Sequence, residues 1–209
     1  MTIRKLAVVT AGLGVPSSSR LLADRLAAAT GAALREREVR AEIDVEVEVI
    51  ELREHGHELV DAVLTGFVTP ALRKALDAVA GADGLITVTP IFSASYNGLF
   101  KLFLDALEEG ALDGKPTLIA ATGGTGRHSL ALEHAVRPLM AYLHAVAVPT
   151  AVFAAPEDWA GGATGVPALD RRIARAAGEL ADLVAQSPAA AAPDPFADPV
   201  PFEQLLRGD

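Results

Sequence analysis

The 209-residue chain contains no cysteine. That excludes a disulfide framework, a thiolate metal site and a cysteine nucleophile. No run of about 18 or more apolar residues occurs, so no membrane-spanning helix is expected. The N-terminal MTIRKLAVVT lacks the apolar core and small-residue cleavage site of a signal peptide. Positive charge is also short. With 18 Lys and Arg against 27 Asp and Glu, the net charge is −9, which argues against broad nucleic-acid binding. It leaves room for one phosphate held by backbone amides and a few local cations. Two phosphate-binding fingerprints are missing as well. No G-x-G-x-x-G follows the first strand-like run, and no Gly-Lys-Ser/Thr closes a Walker loop. His55 and His57 stand two apart, a poor spacing for a helical metal pair, and no metal is expected. These absences together predict a cytoplasmic protein.

What is present is a regular alternation. Strand-like runs cover Ile3–Thr10, Asp44–Leu52, Asp83–Thr89, Pro116–Thr122 and Val146–Phe153. Helical patterns cover Ser18–Arg37, Pro70–Val79, Asn97–Glu109, Ser129–His144 and Ala168–Gln186. The first, third and fourth strands are almost continuously apolar, as strands covered on both faces should be. The second alternates valine with acid and reads as an edge strand with one wet face. The segment His55–Thr69 reads as a loop or a short helix. This alternation predicts an α/β fold with helices on both faces of a parallel sheet. Five strands and five helices fit a flavodoxin-like three-layer α/β/α sandwich with a five-stranded parallel sheet in order 2-1-3-4-5. Residues 1–187 form the expected domain. Residues 188–209, rich in Pro and Ala, are expected as a tail or as an arm laid on a neighbouring subunit.

In that strand order, the loops after strands one, three and four lie side by side at the carboxyl edge, where ligands bind. All three are unusual. The first, Thr10–Leu22 (TAGLGVPSSSRLL), places Ser17, Ser18 and Ser19 at a helix start beside Arg20. Unpaired amides and the positive dipole end make such a start a candidate phosphate nest, while plain helix capping by the serines explains them equally well. The second, Thr89–Gly98 (TPIFSASYNG), offers Thr89, Pro90, Ile91, Phe92 and Ser93, with Phe92 and Tyr96 suited to flank a flat ring. The third, Ala121–Leu132 (ATGGTGRHSLAL), has glycines that allow close backbone approach, the hydroxyls of Thr122 and Thr125, and Arg127 and His128 at the next helix. One loop supplies a phosphate site and two supply a slot for a ring. A phosphorylated ribityl flavin has that shape.

The motifs resemble those of the NAD(P)H-dependent FMN reductases of flavodoxin-like fold. TPIFSASYNGLFKLFLDAL is similar to the TP-(I/V)-(Y/F)-x-A-x-Y-(S/N)-G-x-x-K pattern of the reductases that feed two-component monooxygenases of the alkanesulfonate and methanesulfonate type. ATGGTGRHSLALEHAVRPLMAYL is similar to the same subgroup's ATGGT-x-x-H pattern with its later Arg-Pro, here Arg137 and Pro138. Pro16–Ser19 matches the P-S-x-S phosphate segment, and the resemblance spans about Ile3 to Phe153. The chain departs from the pattern at Gly12-Leu13-Gly14-Val15, which lacks the usual serine and arginine of the phosphate loop. Either Arg20 supplies the missing charge or phosphate affinity is lower.

The resemblance implies FMN as the flavin and NADPH or NADH as co-substrate. It implies Ser17, Ser19 and Arg20 at the phosphate, and Thr89, Pro90, Ile91, Phe92 and Ser93 along one edge of the isoalloxazine. Thr122, Gly123 and Gly124 would hold its polar end through backbone amides. Tyr96 and His128 are expected as modulators, not as nucleophile or acid–base catalysts. In the resembling subgroup a tyrosine at the position of Tyr96 lies in a π-bulge at a tetramer interface, so a homodimer or homotetramer is expected, with a flavin-dependent monooxygenase as a further partner. The competing readings are a reductase of quinones or azo compounds that keeps its FMN bound, and a flavodoxin-like electron carrier.

Overall fold

The computed structural model describes residues 2–37, 43–159 and 168–187. Strand β1 (Thr2–Thr10) runs inside the sheet because Leu6, Ala7, Val8 and Val9 offer apolar side chains to both faces, each at most 1% exposed. It pairs in parallel with β2 (Ile43–Glu51) on one side and β3 (Gly84–Phe92) on the other. β3 pairs in parallel with β5 (Pro116–Thr122), and β5 with the short β6 (Val146–Ala147) and β7 (Val152–Ala154). The parallel order β2-β1-β3-β5-β6 is the flavodoxin-like order expected from the sequence.

Two apolar clusters fill the space on either side. Helices α1 (Ser18–Arg37) and α7 (Ala168–Gln186) cover one face through stripes of Leu22, Leu26 and Leu34 and of Ile173, Leu180 and Val184. Gly84 lets α7 come this close: a Cβ there would lie 2.7 Å from Val184 Cγ2. The other face is covered by α2 (Gly56–Thr65), α3 (Pro70–Ala80), α4 (Gly98–Asp105) and α5 (Arg137–Tyr142). Local capping sets several ends. Thr69 accepts from the Leu72 N–H before Pro70 opens α3, and Asn97 accepts from the Phe100 N–H to start α4. Gly66, at φ 76°, closes α2 by donating its N–H to the Ala62 carbonyl. Lys115 is buried and donates Nζ to the Ala80 and Ala82 carbonyls, tying β5 to the end of α3. Burial pulls its amine below the usual lysine range.

Several details differ from the sequence expectation. The segment His55–Thr69 carries the short helix that was one of its two expected forms, α2, but a 3₁₀ turn (Leu52–His55) takes the last residue of the expected second strand. The expected fifth strand splits in two around Pro149, which has no N–H to give a ladder. The helix expected to reach Glu109 stops at Asp105. The pattern Ser129–His144 is a π-helical turn (Leu132–Val136) running into α5. The stretch Thr89–Gly98 is a hairpin rather than an open loop. Ser93 and Ala94, at φ 50° and 69°, turn the chain so that β4 (Ser95–Tyr96) pairs antiparallel with the end of β3. Positive φ at both turn residues is what a tight hairpin of this hand requires. Tyr96 is therefore in extended backbone, opposite Ile91, and not in a π-bulge; the π-turn lies beyond the third loop instead. The expected tail, residues 188–209, falls outside the described residues. Among those described, no helix is long and apolar enough to cross a membrane, and α6 (Pro156–Trp159) is a single turn.

Candidate functional site

The carboxyl ends of β1, β3 and β5 open onto one cleft of about 320 Å³. Loop 1 contributes Gly12, Leu13, Gly14 and Pro16 to Ser19; the end of β3 contributes Pro90, Ile91 and Phe92. Thr122, Gly123 and Gly124 from loop 3 and Pro156 from α6 complete it. Among the described residues, two larger hollows lie elsewhere. One, about 500 Å³, sits between β2 and α3 among Lys5, Glu46, Glu48, Lys74 and Asp77. The other, about 570 Å³, lies near the end of α5 among Glu108, Glu109, Asp113 and His144. Neither gathers several strand-end loops, and in an open parallel sheet the crevice outside the strand carboxyl ends is the ligand site.

The loops hold one another in place. Ser19 Oγ and Thr122 Oγ1 share a buried hydrogen bond of 2.7 Å, which joins loop 1 to loop 3. Asn97 is 4% exposed and donates Nδ2 to the Ala11 carbonyl at 2.6 Å, joining the start of α4 to loop 1. Thr89 is wholly buried, accepts the Asn97 N–H and donates to the Pro90 carbonyl. It supports the cleft from beneath without lining it. Bare backbone is needed at two points. A Cβ on Gly12 would lie 2.0 Å from Ser17 Oγ, and one on Gly123 would lie 2.7 Å from Phe153 Cζ.

Ser17 lines the cleft and also accepts the Arg20 N–H at 3.2 Å, so capping and lining coincide in one residue. The first turn of α1 carries no acidic side chain, which leaves the positive end of a 20-residue helix facing loop 1. Arg20, expected at the phosphate, is outside the lining. Its guanidinium is held by Asp24 at 2.8 Å and Glu51 at 2.5 Å. The hydrogen bond to Asp24, with further help from Glu51, raises Arg20 above its ordinary range. Ser93 sits exposed at the hairpin tip, and Tyr96 is half-buried with its ring 5.8 Å from that of Phe100; neither lines the cleft. His128 is exposed in a 3₁₀ turn (Gly126–His128) and is also outside the lining. The Gly123 N–H, expected to face a ligand, donates to the Ala154 carbonyl of β7 at 3.2 Å.

Sequence reasoning missed Leu13 and Pro156 in the lining, and it missed the Glu51 and Arg53 side chains behind loop 1. Nothing in the local pattern marks Pro156, since it reaches the cleft only because β7 pairs with β5.

The pieces suit a flat ring carrying a phosphorylated chain: hydroxyls and helix amides at one end, Pro90–Phe92 along an edge, and glycine backbone opposite. The family model described as NADPH-dependent FMN reductase matches residues 4–160. NADH-dependent FMN reductase SfnE of Pseudomonas putida is 36% identical over 140 residues, 67% of this chain and 75% of that one. The crystal structure of an oxidoreductase from Corynebacterium diphtheriae superposes with a TM-score of 0.84 at 47% identity, covering 90% of this chain and all (100%) of the other. The apo form of the NADH:FMN oxidoreductase EmoB gives a TM-score of 0.73 at 27% identity over 90% of this chain and 93% of its own. The chain belongs to the NADPH-dependent FMN reductase family and is an NAD(P)H-dependent flavin oxidoreductase of flavodoxin-like fold that uses FMN.

Proposed function

We propose that the protein treats FMN as an exchangeable substrate, reduces it with NADPH or NADH, and hands reduced FMN to a flavin-dependent monooxygenase. The observation that carries this reading is the cleft on which the ends of β1, β3 and β5 converge, with bare backbone where Gly12 and Gly123 stand. The helix amides and hydroxyls at Ser17–Ser19 would hold the phosphate, a task suited to a helix N-terminus. Pro90, Ile91 and Phe92 would line one edge of the isoalloxazine, and Thr122 and Gly124 its polar end. Arg20, Thr89 and Ser93 then act from behind or beside the cleft, while Gly123 lines it with its N–H turned to the Ala154 carbonyl. A flavin held in the cleft would supply the hydride acceptor, so no side-chain nucleophile is needed. The protein's part is to place the two rings in contact and to exclude water from between them. Tyr96 and His128, at the margins, modulate without carrying protons.

The same reading takes residues 1–187 as the flavin-binding domain, 188–209 as a tail, and the cytoplasm as the place of action. It takes the working form as a homodimer or homotetramer with Tyr96 packed across a subunit interface. Tyr96 is half-buried, and Leu130 and Tyr142 are 62% and 80% exposed. Tyr96→Ala should reduce oligomer size by light scattering; unchanged size and turnover would refute the interface.

The deciding experiment is steady-state NADPH and NADH oxidation by the purified protein with and without added FMN. Turnover that depends on free FMN supports the proposal. A yellow protein that reduces quinones without added flavin points to a bound-FMN reductase, and slow oxidation despite bound FMN points to an electron carrier.

A further inference from the structure

The charges behind loop 1 are arranged around one residue. Glu51 ends β2 opposite Thr10, where loop 1 leaves the sheet. Its carboxylate is only 14% exposed and takes Arg20 Nη1 at 2.5 Å on one oxygen and Arg53 Nη2 at 2.8 Å on the other. Arg53 in turn donates Nη1 to the carbonyl of Gly14, which lines the cleft, at 3.0 Å. Arg20 donates its backbone N–H to Ser17, and its Nε is taken by Asp24 at 2.8 Å. Two guanidinium groups therefore stand directly behind the phosphate loop, matched by two carboxylates. A phosphate placed there meets helix amides and serine hydroxyls, and the side-chain charge of the cluster behind them sums to zero.

We infer that Glu51 is a positioning residue that sets how tightly the site holds the flavin 5′-phosphate. It cancels the charge of Arg20 and Arg53 and clasps loop 1 through the Arg53–Gly14 bond. The inference rests on the flavin reading above and deepens it. With the charge cancelled, the phosphate is held by the helix amides and serine hydroxyls without help from a net positive charge, so FMN is distinguished from riboflavin less sharply than free guanidinium groups would allow.

Removing one carboxylate charge leaves a net positive charge on the order of 10 Å from the phosphate. At an effective dielectric of about 20 this is about 16-fold per unit of phosphate charge before screening, and about threefold to tenfold for one to two phosphate charges at roughly 0.1 M salt, where one Debye length spans the distance. The test is fluorescence titration of the full chain with FMN and with riboflavin, at low and at high salt. Glu51→Gln keeps the side-chain size, loses the charge, and with one acceptor oxygen keeps one of the two guanidinium contacts, leaving the Arg53–Gly14 bond itself intact. It should tighten FMN by about threefold to tenfold, leave riboflavin unchanged, and lose much of the gain at roughly 0.5 M salt, which screens the partly exposed guanidinium charges. Asp24→Asn frees Arg20 without touching the Arg53–Gly14 clasp and should shift FMN the same way by a smaller factor. An unchanged ratio of FMN to riboflavin affinity in both variants overturns the inference, as does parallel loss of both flavins, which would mark Glu51 as merely structural. A wild-type protein that binds neither flavin would refute the flavin site itself. Wild-type binding with an unmoved ratio would refute only the role given to Glu51.

Discussion

Asn97 holds two of the three loops in register, and replacing it should damage stability and flavin binding together. Its Oδ1 caps α4 by accepting the Phe100 N–H at 2.9 Å, and its Nδ2 donates to the Ala11 carbonyl at 2.6 Å in a site 4% exposed. In Asn97→Ala the lost cap costs about 1 kcal/mol. The buried Ala11 carbonyl loses its side-chain donor, at roughly another 1–2 kcal/mol. The sum, about 2–3 kcal/mol, corresponds to roughly 5–10 °C in Tm for a chain of this size. Asn97→Asp separates the two terms. The carboxylate keeps the cap acceptor, but it sets an oxygen against the carbonyl oxygen of Ala11. It should therefore destabilise at neutral pH at least as much as the alanine. Protonating the introduced carboxyl restores the donor, so its pKa is raised in the folded state. A raised acid pKa favours the fold below the unfolded value, about 3.9, and that benefit is lost as pH rises through the folded value. The deficit of Asn97→Asp relative to wild type should thus shrink on acidification. Urea unfolding of the three proteins from neutral pH to about pH 4 measures this, with FMN titration in parallel. An Asn97→Asp protein as stable as wild type at neutral pH, or with a deficit independent of pH, would refute the reasoning.

Ser19→Ala and Thr122→Val should each destabilise the protein and weaken flavin binding. The double variant should lose less than the sum, with a coupling of about 1 kcal/mol in a denaturation cycle, because both end the same buried hydroxyl pair. Strict additivity would show that the bond does not join the loops. Gly123→Ala drives a Cβ to 2.7 Å from Phe153 Cζ, so it should cost about 1–3 kcal/mol and raise KM for FMN; unchanged kinetics and Tm would contradict the packing. Glu58 lies 2.7 Å from His55 Nδ1 and accepts from the Thr69 hydroxyl at 2.7 Å. These bonds, His55 foremost, hold its carboxyl below the usual range. A lowered acid pKa stabilises the fold above the unfolded value of about 4.3 and ceases to do so as pH falls through the folded one. Wild type should therefore exceed Glu58→Gln in urea midpoint at neutral pH and converge with it in acid, whereas a constant gap would exclude the linkage.

Much of the architecture was legible in the chain itself. Unbroken apolar runs in β1, β3 and β5 announce strands buried on both faces, and the helices between them announce a parallel sheet. The spans Ser18–Arg37 and Ala168–Gln186 were readable from periodicity alone, because helix formation depends on side chains three and four residues apart. That loops after strands one, three and four share a rim follows from the strand order. Signals of this kind act over a few residues, and so they survive in a linear reading.

Pairings over long distance do not. The bond between Arg20 and Asp24 could be anticipated from helical spacing, but Glu51 reaches Arg20 only because β2 lies in register beside β1. Ser19 and Thr122 are 103 positions apart, and no local pattern joins them. The hairpin at Ser93–Ala94 uses neither glycine nor asparagine, so the usual turn signal was missing and an open loop was the natural reading. The order of amino acids thus specifies the layers, the strand order and which loops meet. Whether the charges in those loops are free or cancelled is set by the folded arrangement, because Coulomb forces and hydrogen bonds depend on separation in space and not along the chain.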